Sequence, residues 1–479
     1  MGNIIIGLEI HCQLTSLKSK LFCSCHEDYR IFKPNSNICP ICCGFPGTLP
    51  LLNQKAVEHA AMISYALGSN IPEKIMFYRK NYFYPDLPKN FQITQYNLYG
   101  LTSIGSAGSV YISDSKTIRI RRVQLEEDPG RLSYDSGNIH NSNHTLIDYN
   151  RSGVALVEIV TEPDFTDPRE VRYFLNKLSS ILEHLGVCDT TLEGAVRCDA
   201  NVSLKGGERI EIKNVNSFRE VEKALTYEIS RQTSLSTRNI KINSETRHWD
   251  EQRKITRIAR TKEEEQDYRY FPEPDIPLVM LGKDFYTHIG KLVPELPDER
   301  LSRFKSKYTL SDHVANILIN SKKLADFFES CLKIYYSPVE IANWLVNDLL
   351  ALIGGDETMI LDNLKIEPKH MAELAKLVDE KKISRSTAKQ IFTEVFRTGQ
   401  APSELLSRTD YSQINDESFI ANAVDLVFSS EESAVEDAKV NSGAINFLVG
   451  KVMKMTKGRA DPKIVTQLIN VKLAQLGNS

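Results

Sequence analysis

Ile4-Ile5-Ile6-Gly7-Leu8-Glu9-Ile10-His11 alternates in character along its length. The even positions, Ile4, Ile6, Leu8 and Ile10, are apolar, and the odd positions end in Glu9 and His11. Side chains alternate across a strand, so residues two apart share a face. This stretch therefore predicts a strand with one face for a core. The other face delivers a carboxylate and an imidazole side by side, a mounting that suits a metal or phosphate site. Further runs at 118–125, 154–160, 196–204 and 209–213 predict more strands. A helix is expected from Pro168 to Leu185. Asp167 is a suitable N-cap, Pro168 fits the first helical position, and Gly186 fits the stop. Val171, Phe174, Leu175, Leu178, Leu182 and Leu185 make its apolar stripe.

Strand and helix signals mix up to about residue 290, and the chain of 479 residues leaves room for further domains. Val293-Pro294-Glu295-Leu296-Pro297 reads as a boundary. Beyond it helical periodicity dominates, and Ile341, Trp344, Leu345, Asp348, Leu349 and Leu352 space as one buried helix face carrying an acid. A second break is expected near Thr398-Gly399-Gln400-Ala401-Pro402. No apolar run reaches the ~18 residues of a membrane span. No basic stretch leads into an apolar one near the start, and Ile6 stands where a myristoylation motif needs Ser or Thr. A cytoplasmic protein is expected, although a mature organellar chain that had lost its transit peptide would read the same.

The net charge of −3 excludes a uniformly basic nucleic-acid coat, so any RNA contact must be local. Between Lys439 and Lys472 seven basic residues face one acid, Asp461, which offers such a patch; a solvated helix face is the plainer alternative. Five of nine cysteines cluster between Cys23 and Cys43. Cys23-x-Cys25 and Cys39-x-x-Cys42 have the form of two close thiol pairs on turns, the usual frame of a tetrahedral zinc site. Four thiolates leave no open position, so the metal's role would be structural. Cys43 and His26 are competing ligands, and buried free thiols are the alternative.

Arg79-Lys80-Asn81-Tyr82-Phe83-Tyr84-Pro85 opens a segment in which bases and aromatics interleave as far as Gln92. Such a segment can stack a nucleobase and neutralise phosphate, or simply fill an aromatic core. On 196–204, Arg197, Asp199, Asn201 and Ser203 share the polar side; on 209–213, Glu211 and Lys213 do. Glu158 interrupts an apparent apolar side of Val154, Leu156 and Val160, and Glu126-Glu127-Asp128 ends another strand. Singly, each acid reads as sheet surface. Together they offer hard oxygen ligands for Mg²⁺, with Lys80, Arg197 and Lys213 for phosphate, a set suited to phosphoryl transfer. Neither Gly-x-x-x-x-Gly-Lys-[Ser/Thr] nor Gly-x-Gly-x-x-Gly occurs, so a nucleotide site must be built another way.

In these motifs the chain resembles the B subunits of tRNA-dependent amidotransferases, the GatB family. The resemblance rests on Ile6 to His11, the paired thiols, Phe45-Pro46-Gly47-Thr48-Leu49-Pro50 and the Arg79–Gln92 segment. It continues through Glu126-Glu127-Asp128, Arg197 to Ser203, Glu211 to Phe218, Asp267 to Asp275 and Phe447 to Lys454. It implies an α+β chain with a mixed-sheet, cradle-like catalytic domain over 1–292. An all-α helical domain over 293–400 and a small YqeY-like tRNA-binding tail over 401–479 would follow. It implies ATP-dependent phosphorylation of the side-chain carboxylate of misacylated Glu-tRNA(Gln) or Asp-tRNA(Asn), then amidation by ammonia. Glu9, His11, Glu127, Asp199 and Glu211 would surround Mg²⁺; Lys80 and Lys89 would meet phosphate or line the ammonia path, which Glu127 would gate. Arg79, Lys80, Arg197 and Lys213 would bind the nucleotide, and Cys23, Cys25, Cys39 and Cys42 would hold Zn²⁺. The chain carries no amidase-type nucleophile loop. The implied partners are therefore the family's amidase, its A subunit, together with its small C subunit.

Three positions depart from the pattern. Gln124 stands where a His is common, Pro129-Gly130-Arg131 replaces a more usual Ala-Gly-Lys, and Leu192 sits where a Glu often precedes Glu193. A non-catalytic tRNA-binding scaffold with a zinc knuckle is the competing reading. A zinc hydrolase fits poorly, because the thiol set is closed and no His-Glu-x-x-His occurs.

Overall fold

The computed structural model describes residues 4–113, 115–134, 142–215, 217–261, 267–354, 364–408, 417–440, 442–456 and 460–477. It divides into two compact units, 1–300 and 301–479.

The first unit is built on an eleven-stranded sheet. Its strands are β1 (Ile4–Gln13), β2 (Phe77–Asn81), β3 (Phe91–Gln95), β4 (Gly105–Ser113), β5 (Lys116–Glu127) and β6 (Ala155–Thr161). The rest are β7 (Val196–Leu204), β8 (Ile210–Val215), β9 (Glu245–Asp250), β10 (Ile255–Thr261) and β11 (Phe271–Pro272). They run in the order β10-β9-β8-β7-β1-β6-β5-β3-β2-β11, with β4 on β5. The opening strand thus sits at the centre of the sheet. Among the described residues of this sheet only β8 and β9 pair in parallel, joined by helix α3 (Phe218–Thr237). Every other pairing there is antiparallel, so the sheet is mixed.

The core forms on one face. Ile6, Leu8 and Ile10 of β1 join Ala155, Val157 and Ile159 of β6, Ala200 and Val202 of β7, and Ile210 and Ile212 of β8. Helices α1 (Gln54–Ala66), α2 (Pro168–Leu185) and α3 contribute to the same cluster. Strand β6 corrects one expectation: its apolar side is the odd side, and Glu158 lies on the face opposite the core. Helix α2 has the expected bounds. The Asp167 side chain accepts from Arg169 N, Gly186 takes the left-handed conformation at φ 69°, and all six stripe residues are buried.

The second unit is helical and holds two separate apolar clusters. One runs from Phe304 to Val395 and the other from Ile420 to Ile469. The expected helix face in the first cluster is only partly present. Ile341, Trp344, Leu345 and Leu349 are buried, but Leu352 is 38% exposed. The cause is a π-helical turn over Trp344–Leu349, whose wider winding rotates the following residues off the α-helical stripe. Asp348 lies in that turn and is held by Lys389 at 2.8 Å. Among the described residues no helix is long and apolar enough to cross a membrane.

Candidate active site

The face of the sheet opposite the core gathers charge across five strands. On β1, Glu9 lies beside Asp199 of β7, and His11 beside Arg197 of β7 and Glu158 of β6. Glu158 in turn faces Gln124 of β5. Cross-strand neighbours share a face, so the antiparallel register converts separate sequence positions into one cluster. One ligand atom each from Glu9, His11 and Glu158 lies within 4.8 Å of the others. His11 Nε2 is 3.7 Å from Glu9 and 3.8 Å from Glu126. Further along, Lys213 bridges Asp199 at 2.9 Å and Glu211 at 3.3 Å, and Thr246 donates to Glu211 at 3.0 Å. On the other flank Arg122 approaches Glu158 at 3.6 Å.

The cluster holds more carboxylates than cations, and its titration follows. Burial, then the Glu158 charge, raises Glu9 to about 7; Asp199 adds to this and His11 opposes it. Burial, again followed by Glu158, raises Glu126 to about 8, with Lys80 and the Thr94 hydroxyl pulling the other way. Burial lowers His11 despite the Glu9 charge. Lys213 is held above the ordinary lysine range by Asp199 and Glu211, against the effect of its burial. Closely spaced carboxylates that bind protons near neutrality are suited to a hard divalent cation, which can replace the protons. Glu9, His11, Glu158, Glu126 and Asp199 have the donor chemistry for such an ion.

Three expected members stand elsewhere. Glu127 faces the opposite side from Glu9, because β5 alternates and Glu127 continues the parity of Val123 and Leu125. Both its oxygens accept from Lys89 Nζ at 2.5 Å, and Oε1 also accepts from Ile93 N at 2.9 Å. Glu126 and Glu158 occupy the position in the cluster expected of Glu127. Lys89 accordingly belongs to the Glu127 side and not to the acid cluster. Arg79 is also on that side and is held by two carboxylates: it donates to Glu273 at 2.7 and 2.9 Å, and to Asp275 at 3.1 Å. These bonds use Nε and Nη2 and hold the guanidinium on the Lys89 side, away from the acid cluster.

Lys80, one residue on, points the other way, over the rings of Tyr268 at 4.8 Å and Tyr82 at 5.7 Å. It lines an open cleft of about 960 Å³ with Phe83, Tyr84, Arg269 and Phe271. Tyr96 stacks on Tyr270 nearby, ring centres 4.1 Å apart. Arg197 is held by Asp128 at 2.8 Å, and the other Asp128 oxygen accepts from Gln13 at 2.7 Å. Those two neighbours fix the guanidinium beside His11. Gln124 fits where it stands, donating to Gln95 O at 2.6 Å and accepting from Arg122 at 2.8 Å. Leu192 packs against the core, where a carboxylate would be misplaced.

The four paired thiols do converge. One sulfur each from Cys23, Cys25, Cys39 and Cys42 lies within 4.8 Å of the rest, a closed all-thiol set able to hold a metal ion. Cys42 is drawn towards thiolate by the Cys23 thiol first and by Lys20 next. Lys20 is fully buried, with Nζ 3.9 Å from the Cys42 sulfur and donating to Asn37 O at 3.0 Å. His26 is engaged elsewhere, its Nδ1 accepting from Asp28 N at 3.1 Å.

Known proteins match this chain along almost its whole length. The GatB/GatE catalytic domain matches residues 4–287, and the GatB domain of the YqeY type matches residues 326–473. The B subunit of the aspartyl/glutamyl-tRNA(Asn/Gln) amidotransferase of Sulfurisphaera tokodaii is 48% identical over 97% of this chain and 98% of its own. The protein of the same name from Sulfolobus acidocaldarius is 48% identical over 98% of this chain and 99% of its own. That from Thermotoga maritima is 45% identical over 97% and 98%. With both domains matched in order and relatives aligned end to end, the chain belongs to the family of aminoacyl-tRNA amidotransferase B subunits.

Proposed function

We propose that this chain converts the side-chain carboxylate of Glu-tRNA(Gln) or Asp-tRNA(Asn) into the amide, using ATP and ammonia. ATP supplies a phosphoryl group to the carboxylate oxygen, which turns a poor electrophile into an acyl phosphate. Ammonia then attacks the carbonyl carbon, the C–O bond to phosphate breaks, and amide and phosphate leave. The observation that carries this reading is the convergence of Glu9, His11, Glu126, Glu158 and Asp199 on one face, short of positive charge. Mg²⁺ held there would neutralise phosphoryl oxygens and align the displacement. Lys80 is suited to meet the phosphates from its aromatic cleft, and Lys213 to hold the Asp199 and Glu211 carboxylates in place. Arg197 sets the outer limit of the site beside His11.

The thiol set is read as a structural Zn²⁺ knuckle, and the Lys89–Glu127 pair on the far face as the point where ammonia arrives. An amidase, the A subunit, with a small C subunit, would complete the enzyme in the cytoplasm. The three-part division, catalytic over 1–292, helical over 293–400 and tRNA-binding over 401–479, goes with this reading. The test is Asp199→Asn in the complex with those partners. Glutamine hydrolysis is expected to persist while amide formation on the tRNA falls by ~10²-fold or more. Normal amidation by that variant would remove Asp199 from the site and favour a tRNA-binding scaffold instead.

A further inference from the structure

The thiol set and the acid face lie on opposite sides of the sheet, yet one strand end touches both. Gly44, two residues after Cys42, has φ +68° and is packed on Lys89: a Cβ there would fall 2.4 Å from Lys89 Cγ and 3.1 Å from its Cα. Gly153, at φ +85°, is a second junction. A Cβ on it would meet Cys42 Cβ at 3.4 Å, the Lys20 stem at 3.6 Å and Glu127 Oε2 at 3.9 Å. The Ser152 hydroxyl donates to Cys42 O at 3.3 Å, and Gly153 N to Asp128 O at 2.9 Å. Lys89 clamps both oxygens of Glu127, and Gln92 holds the Glu127 carbonyl at 2.8 Å. The next residue back is Glu126, which stands among the acids beside His11.

We infer that the metal knuckle is a positioning device for the acid face, acting through Gly44, Lys89 and Glu127 on Glu126. This rests on the proposed reading of the two clusters as a thiolate metal site and a divalent-cation site. A strand is stiff, and a residue cannot shift on one face without moving its neighbour on the other. By linkage, an ion at either site must then alter the other.

The experiment uses the full chain with Co²⁺ in place of Zn²⁺, because thiolate-bound Co²⁺ has visible absorption bands that report ligand geometry. Mn²⁺ prefers oxygen donors and stands lowest in the affinity order, so it leaves the thiols alone. Titrating Mn²⁺ is expected to shift the cobalt bands, with a midpoint equal to that of Mn²⁺ binding followed by its own magnetic resonance. Gly44→Ala is expected to weaken Mn²⁺ binding about three- to tenfold, a coupling of ordinary size, while the cobalt content stays unchanged. Gly47→Ala is the control: it has φ +82° with nothing within 4 Å of its Cβ, so it carries the backbone strain without the push on Lys89. In a Lys89→Ala background, which removes the 2.4 Å contact with Cγ and the grip on Glu127, the Gly44→Ala effect is expected to shrink. Cobalt bands that stay fixed while Mn²⁺ binds would overturn the coupling, whether or not the glycine variants fold. Absence of cobalt bands, or of Mn²⁺ binding, would remove the underlying reading and the coupling with it.

Discussion

Glu126 and Glu127 differ by one position and therefore by one face. The alternation that separates them is present in the sequence: Val123 and Leu125 are apolar, Gln124 and Glu126 polar. Counted by parity, Glu126 belongs with the polar side and Glu127 with the apolar one. The count is upset further back by a register shift between Ile120 and Arg122, which no local pattern announces. The face of Glu158 was misread for a related reason, since Val154, Leu156 and Val160 flank it with apolar residues although the core side is Ala155, Val157 and Ile159. Burial of Glu126 also bears on stability. Its carboxyl is raised from 4.5 to about 8 by burial and by Glu158. The folded chain therefore keeps a proton that the unfolded chain loses above pH 4.5. This contribution is fully present below that pH and is lost as pH rises towards 8. Glu126→Gln cannot titrate. Without divalent cation, the variant is expected to gain on the parent between pH 5 and pH 8 by on the order of 1–3 kcal/mol, a shift of several degrees in Tm. Taking the difference cancels the thiols' own titration. Parallel Tm profiles for the two proteins would mean that Glu126 is ionised throughout.

At the scale of an element, the loop from Lys18 to Gly44 shows what spacing can and cannot disclose. The two thiol pairs were legible because close cysteines on turns are constrained to meet near one point. Lys20 was not legible: a lysine in a loop reads as solvated, and only the fold buries it completely against Cys42. A site of four thiolates and one divalent ion carries net negative charge, and a buried ammonium beside one sulfur offsets part of it. Removing that charge while keeping the bulk tests its role. Lys20→Met is expected to weaken metal retention by ~10-fold, as changes next to metal ligands commonly do. Competition against a chromophoric chelator measures this, and unchanged affinity would make Lys20 a packing residue only. The same limit explains Arg79, whose partners Glu273 and Asp275 lie nearly two hundred residues away and leave no trace near it.

Across the whole molecule, the change from mixed strands to helices was visible in composition and periodicity, and the helical unit begins close to the Pro-rich break at 293–297. Fine partition was less visible. The helix Pro402–Arg408 follows the second expected break, yet its Leu405 and Leu406 pack on the cluster that precedes it. The basic run of the tail needs similar correction. Lys451 is paired with Glu431 at 2.5 Å and Lys472 with Asp425, acids on other helices that a local charge count omits. Lys457 and Arg459 lie outside the described residues. Lys454 and Lys463 are exposed, and neither is ion-paired to a described residue within 4 Å. If the tail meets the phosphates of tRNA, then among the described residues of the run Lys454 and Lys463 carry the contact and Lys451 does not. In the assembled enzyme, Lys454→Ala with Lys463→Ala is expected to weaken tRNA binding several-fold at moderate salt. Removing one phosphate contact lowers the slope of log affinity against log salt by about 0.7–0.9, so removing two should lower it by about 1.5. Lys451→Ala should leave the slope unchanged, because its charge is already met by Glu431. Equal slopes for parent and double variant would show that neither Lys454 nor Lys463 meets a phosphate.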